Sequence, residues 1–157
     1  MSQMNEFQLL TSFVLPAELL HQTDHQSVNS TLQLAIPTLD LHLTRLVKAH
    51  QAMAQAIPTS WCAQESPINP ALILNTLITK INSLREQSLN KQSLRARLTI
   101  GPSHTISFTT SPMPSLPPIT LLISLDNQPT SYHQDPFLLT KTTQRKYYDD
   151  TRARHGK

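Results

Sequence analysis

The spacing at which apolar residues return along this chain changes once, and that change bounds the fold. Leu39, Leu43, Leu46, His50 and Met53 recur at intervals that place them on one face of a helix, and Leu74, Leu77, Ile78, Ile81 and Leu84 do the same. From Ser93 onward the period is two. Leu94, Ala96, Leu98 and Ile100 alternate with Ser93, Arg95, Arg97 and Thr99; Ile106 and Phe108 sit between polar neighbours; Ile119, Leu121, Ile123 and Leu125 alternate again. Successive side chains of a strand point to opposite faces, so this alternation predicts strands with one buried face. Helices are therefore expected over 36–54 and 70–87, and strands over 93–100, 104–110 and 119–125. A further strand is expected over 6–14, where EFQLLTSFV is short, apolar and rich in aromatic and branched residues. The class is α+β, with both helices packed on one face of the sheet.

Local punctuation fits these spans. Thr38 can cap the first helix, and Asp40 places a negative charge in its first turn, where the helix dipole favours one. Pro58 ends it, and 58–69 is a proline-containing connector. Asn69 precedes Pro70, a cap followed by a residue suited to the first helical position. Gly101 and Pro102 predict the turn between two strands, and residues 22–35 are polar and read as a loop. Residues 126–137 are polar and read as a linker. Residues 138–155 open with FLL and continue as a polar, charged helix with no adequate apolar stripe of its own. The expected organisation is an α+β domain over 1–125, a linker over 126–137, and the first helix of a second domain over 138–157.

Several classes of function are disfavoured. Cys62 is the sole cysteine, which excludes an intrachain disulfide and fits a reducing, cytoplasmic setting. No apolar run approaches the ~20 residues needed to span a bilayer, so no membrane association is expected. The start MSQMNEFQ lacks a basic segment and an apolar signal core. The net charge of +3 is concentrated late: Lys141, Arg145, Lys146, Arg152, Arg154 and Lys157 stand against Asp149 and Asp150. With Tyr147 and Tyr148, such a tail has the ingredients of single-strand nucleic-acid binding. The body is not basic and the aspartates interrupt the tail, so no nucleic-acid partner is expected. His104 and the other histidines show no paired ligand spacing, and no metal site is expected. Cys62 has no nearby histidine in sequence and reads as a buried thiol rather than a nucleophile. Arg95 and Arg97 share one strand face and read as the wet side of a sheet, with a carboxylate-binding role as the alternative.

Two segments carry chemistry. Lys141-Thr142-Thr143-Gln144-Arg145 is followed by Tyr148, and His42-Leu43-Thr44-Arg45-Leu46 lies on the first helix. Together they resemble the K-x-x-x-R and H-x-x-R-L motifs of fold-type IV pyridoxal-phosphate enzymes. The KTT-x-R-x-x-Y form, the opening FQLLTSF, the L-R-A-R-L strand and the T-S-P-M-P segment are most similar to fungal-type aminodeoxychorismate lyases. The resemblance runs along essentially the whole chain and corresponds to about the first half of the family's length.

The resemblance implies the N-terminal small domain of such an enzyme plus the start of its second. Lys141 would be the catalytic lysine that carries pyridoxal 5′-phosphate, and Arg45 would bind the cofactor phosphate. The substrate would be the small molecule 4-amino-4-deoxychorismate, converted to 4-aminobenzoate and pyruvate in folate biosynthesis, and the family's homodimer would apply. Elementary chemistry agrees. A planar guanidinium donates two parallel hydrogen bonds to phosphate oxygens. A free lysine has a pKa of ~10.4, which burial or a neighbouring cation such as Arg145 lowers, freeing the amine. The family's ring-nitrogen carboxylate and its later phosphate-binding amides have no counterpart here, so this chain alone is expected to be inactive. Two alternatives stand: a class IV aminotransferase of the branched-chain or D-amino-acid type, and a non-catalytic fragment or interaction domain. On composition alone, Lys141 is a solvated lysine on a charged helix and Arg45 an exposed residue beside a core stripe.

Overall fold

The computed structural model describes residues 7–21, 32, 35–87, 92–113, 136–140, 142–143, 149–150 and 153. Three antiparallel strands form one sheet in chain order: β1 (Leu9–Leu15), β2 (Leu94–Ile100) and β3 (Ile106–Pro112). Between β1 and β2 lie α1 (Ala17–His21), α2 (Leu39–Ala56), α3 (Trp61–Gln64) and α4 (Pro70–Gln87), and α5 (Pro136–Leu139) follows the sheet. The architecture is α+β, as the change of period predicts. The expected strand over 119–125 lies outside the described residues.

Register decides which side chains meet. Leu9 pairs with Ile100, Thr11 with Leu98, Phe13 with Ala96 and Leu15 with Leu94, and across β2 Ile100 pairs with Ile106 and Leu98 with Phe108. Because strand side chains alternate, all of these point to one face. That face meets the buried stripe of α2, made of Leu39, Leu43, Leu46, Ala49, His50 and Met53. The α4 ridge of Ile73, Leu77 and Ile81 joins the same contiguous core. The outer face carries Ser12, Val14, Arg95, Arg97, Ser107 and Thr109, and apart from the half-buried Ser12 these are exposed. Leu10 and Thr99, paired across β1 and β2, are the two outer-face residues that are buried.

Several expected boundaries move. The first helix begins at Leu39, where Leu39 N–H bonds Ile36 O, and it extends to Ala56, since only Pro58 blocks further turns. Thr38 stands at the cap position without a side-chain cap bond. Asn69 does cap α4: its Oδ1 accepts Ala71 N–H at 2.9 Å. The deepest α4 residues are Ile73, Leu77 and Ile81, while Leu74, Ile78 and Leu84 flank them half-buried. The connector is not plain loop. It contains α3, whose Trp61 and Cys62 are buried, and Trp61 Nε1–H donates to Phe7 O at 3.1 Å. The helix expected through 138–155 is interrupted: α5 is four residues long, and Thr142 forms an antiparallel bridge with Leu9.

The β2–β3 turn falls two residues later than Gly101 and Pro102 predict. Gly101 is extended, and the bend is made by Ser103 and His104, with φ of 57° and 50°. Thr105 N–H closes it onto Pro102 O at 3.2 Å. Positive φ at both central residues matches the right-handed twist of the flanking strands. For residues with a Cβ it costs roughly 1–2 kcal/mol each. Contacts to the connector offset this: Glu65 Oε1 accepts Ser103 N–H at 2.7 Å, and His104 Nε2 lies 2.9 Å from Ser66 O.

Leu77 is fully buried at the centre of the α4 ridge. Leu77→Ala is expected to destabilise the fold by about 2–5 kcal/mol, the range for a leucine cavity that cannot collapse. Val14→Ala, on the outer face, is expected to change stability by less than about 0.5 kcal/mol. Urea unfolding of the two variants measures the contrast, and equal losses would contradict the assignment of inner and outer faces.

Candidate functional site

On β1 the inward positions are Leu9, Thr11, Phe13 and Leu15. Thr11 is thus a hydroxyl placed among apolar side chains, with no exposed surface. A buried hydroxyl needs partners, because an unsatisfied one loses its bonds to water with nothing in return. Two residues of α2, one turn apart and so on one face, supply them. Arg45 Nη2 donates to Thr11 Oγ1 at 2.6 Å, and His42 Nδ1 lies 2.7 Å from the same oxygen. The guanidinium can only donate, so Thr11 accepts from Arg45 and its own proton is free to go to His42 Nδ1. That assignment makes the ring an acceptor at Nδ1 and a donor at Nε2. Phe13 packs against the imidazole at a centroid distance of 5.5 Å and limits its rotation. Arg45 itself stays exposed.

The far segment approaches the same strand from its other edge. Besides the Leu9–Thr142 bridge, Thr143 N–H donates to Gln8 O at 2.9 Å, and Gln8 N–H donates to Thr143 Oγ1 at 2.9 Å. Thr142 is buried, and Thr140 Oγ1 contacts Met53 Sδ of α2 at 3.4 Å. Leu9 and Thr11, two positions apart on β1, are separated by roughly 7 Å. Lys141, Arg145 and Tyr148 lie outside the described residues. Of the two site residues expected from the sequence, Arg45 is therefore located and Lys141 is not. Arg95 and Arg97 do not join Arg45: they pair with Val14 and Ser12 on the opposite face of the sheet, and both are exposed.

Sequence reasoning missed Thr11. The signal was available, since it is a polar residue at an inward position of an otherwise apolar alternation. Sequence spacing says nothing, however, about which helix residue faces it.

A second polar cluster lies at the hairpin end of the core. His50 is buried, with its ring 5.4 Å from Trp61 and 6.1 Å from His104, and its Nε2 has no partner among the described residues. Burial, reinforced by the neighbouring His104 and opposed by Glu65, lowers its pKa from the ordinary 6.5. His104 Nε2 lies 3.6 Å from Glu65 Oε2. Burial first, and then the charge of Glu65, push the Cys62 thiol up to about 12. Among the described residues no three His, Cys, Asp or Glu side chains are grouped as a metal would require. None of the described helices is long and apolar enough to cross a membrane. Compared with protein-family models, with curated proteins and with solved structures, the chain matches none.

The thiolate is the reactive form of cysteine, and a pKa near 12 leaves almost none at pH 8. Cys62 is expected to resist a thiol-reactive dye in the native protein at pH 8 and to react fully in urea. Rapid native labelling would contradict its burial. The His50 shift carries a sign. A histidine whose folded-state pKa is lowered contributes its full stability above the unfolded value, near 6.5, and loses it as pH falls towards the folded value. The urea midpoint is expected to drop between pH 7 and pH 5, and His50→Leu to flatten part of that slope. An unchanged slope in the variant would sink this attribution.

Proposed function

We propose that this chain carries the phosphate-binding arginine and the cofactor lysine of a fold-type IV pyridoxal-phosphate enzyme. On this reading it belongs to a lyase converting 4-amino-4-deoxychorismate to 4-aminobenzoate and pyruvate. The observation that supports this is the role of β1. Arg45 is bonded to Thr11, and Thr142, next to Lys141 in sequence, is bridged to Leu9, so two motifs distant in sequence attach to adjacent inward positions of one strand.

The described residues fit the phosphate end of such a cofactor. Arg45 offers an exposed guanidinium anchored at a single nitrogen by the neutral Thr11 hydroxyl. Arg45 would hold the phosphate through parallel N–H bonds. Lys141 would hold the cofactor at its aldehyde end. When bound, pyridoxal phosphate supplies an electron sink for the carbanion that forms beside the substrate nitrogen. The work left to the chain is to position and to move a proton. The Lys141 amine would take a proton from the substrate and return one as pyruvate departs and the ring becomes aromatic. The family's ring-nitrogen carboxylate is not among the matched motifs, and a weakly assembled site costs orders of magnitude in rate. The isolated chain is accordingly proposed to bind cofactor without efficient turnover.

Incubation with pyridoxal phosphate is expected to give a visible-violet absorbance band, and borohydride reduction followed by peptide mapping is expected to find the modification at Lys141. Lys141→Ala should remove both. Production of 4-aminobenzoate and pyruvate by the 157-residue chain should stay near the uncatalysed rate. Modification spread over many lysines, with Lys141→Ala behaving as the parent, would overturn the assignment of the lysine.

A further inference from the structure

We propose that Thr11 is the positioning residue of an anion-binding arginine, its buried hydroxyl orienting Arg45 towards a phosphate monoester. This rests on the phosphate-binding role proposed above for Arg45. An arginine serving structure is usually matched by a carboxylate, which fixes its orientation and also cancels its charge. Arg45 is held differently. The atom that fixes it is Thr11 Oγ1 at 2.6 Å, a neutral oxygen, and no carboxylate pairs with Arg45 among the described residues. Among the described residues the guanidinium is thus oriented without being neutralised.

The clamp is stiff at its base. Thr11 has no exposed surface, its β-branched side chain has restricted χ1 freedom, and its strand is bonded to β2 along its whole length. His42 Nδ1, 2.7 Å from the same oxygen, holds the hydroxyl from a second side; whichever of the two gives the proton, Oγ1 keeps a lone pair for Arg45. An arginine side chain carries about 2 kcal/mol of rotamer freedom, and fixing it before the ligand arrives removes that cost from binding. Only one of the five guanidinium N–H groups is used on Thr11, so a pair remains for the oxygens of a doubly charged phosphate.

The test compares pyridoxal phosphate with pyridoxal, which lacks the phosphate. The ratio of their dissociation constants reads the phosphate contact and is insensitive to a general loosening of the site. The parent chain should favour pyridoxal phosphate, Arg45→Ala should abolish the preference, and Thr11→Val should reduce it about tenfold. Thr11→Ser, which keeps the hydroxyl, should remain within about twofold of the parent, a rescue that packing alone would not produce. If circular dichroism shows that Thr11→Val does not fold, Thr11→Cys takes its place, since its sulfur is a weak acceptor of similar size. Full preference in Thr11→Val or Thr11→Cys, alongside its loss in Arg45→Ala, would overturn the positioning role and leave the phosphate reading standing. A parent with no preference, or Arg45→Ala retaining it, would overturn the phosphate reading and the present proposal with it.

Discussion

Strand β1 is bonded along both edges, and the remaining structure is arranged around that fact. On one side its full length pairs with β2; on the other, Gln8 and Leu9 take up Thr143 and Thr142. Its inner face holds Leu9, Phe13 and Leu15 against the helices, and Thr11 between them is hydrogen-bonded to Arg45 and His42 of α2. Backbone hydrogen bonds fix where the strand lies, and side-chain burial fixes which way it faces. A slip of one residue would carry Thr11 to the outer face and bring Leu10 and Ser12 inward. The polar contact to Arg45 and the apolar core would then be lost together.

Phe7 extends this anchoring beyond the strand. Its ring meets Trp61 of α3 at 5.7 Å and Phe137 of α5 at 5.2 Å, the latter edge-on, and its carbonyl accepts the Trp61 indole N–H. Such contacts join Phe7, two residues before β1, the connector after α2 and the segment beyond the sheet in one aromatic group. They explain why a connector with two prolines, Pro58 and Pro67, is as buried at Ser60, Trp61, Cys62 and Ile68 as a regular element. Glu65 and Ser66, held just beyond α3, are then in place to support the strained hairpin turn.

The elements legible in the sequence are those whose burial follows a simple period. The α2 stripe was legible residue by residue, because one helix face meets the core along its length. On α4 the buried ridge is rotated slightly from the richest apolar stripe, towards Ile73: tertiary packing, not amphipathicity, chose among adjacent apolar positions. The turn at Ser103 and His104 was illegible because neither residue favours positive φ, and its support comes from Glu65, far away in sequence. Thr142 reads as part of a charged helix until its backbone finds Leu9. In the candidate site, Arg45 was found by motif, whereas Thr11, which holds it, is visible only once a helix and a strand are packed together.

The pairing of β1 with β2 also determines the order in which the chain can assemble. Hairpin β2–β3 closes across a few residues, while β1 reaches its partner only after the chain has passed through α1, α2, α3 and α4 and the segments between them. Closing so large a loop carries an entropic penalty that no contact repays until the ends meet. The two long helices shorten that distance if they form and pack first. β1, the strand that carries Thr11 and receives Thr142, would then dock late, so the arginine stays unanchored until nearly the last step of folding.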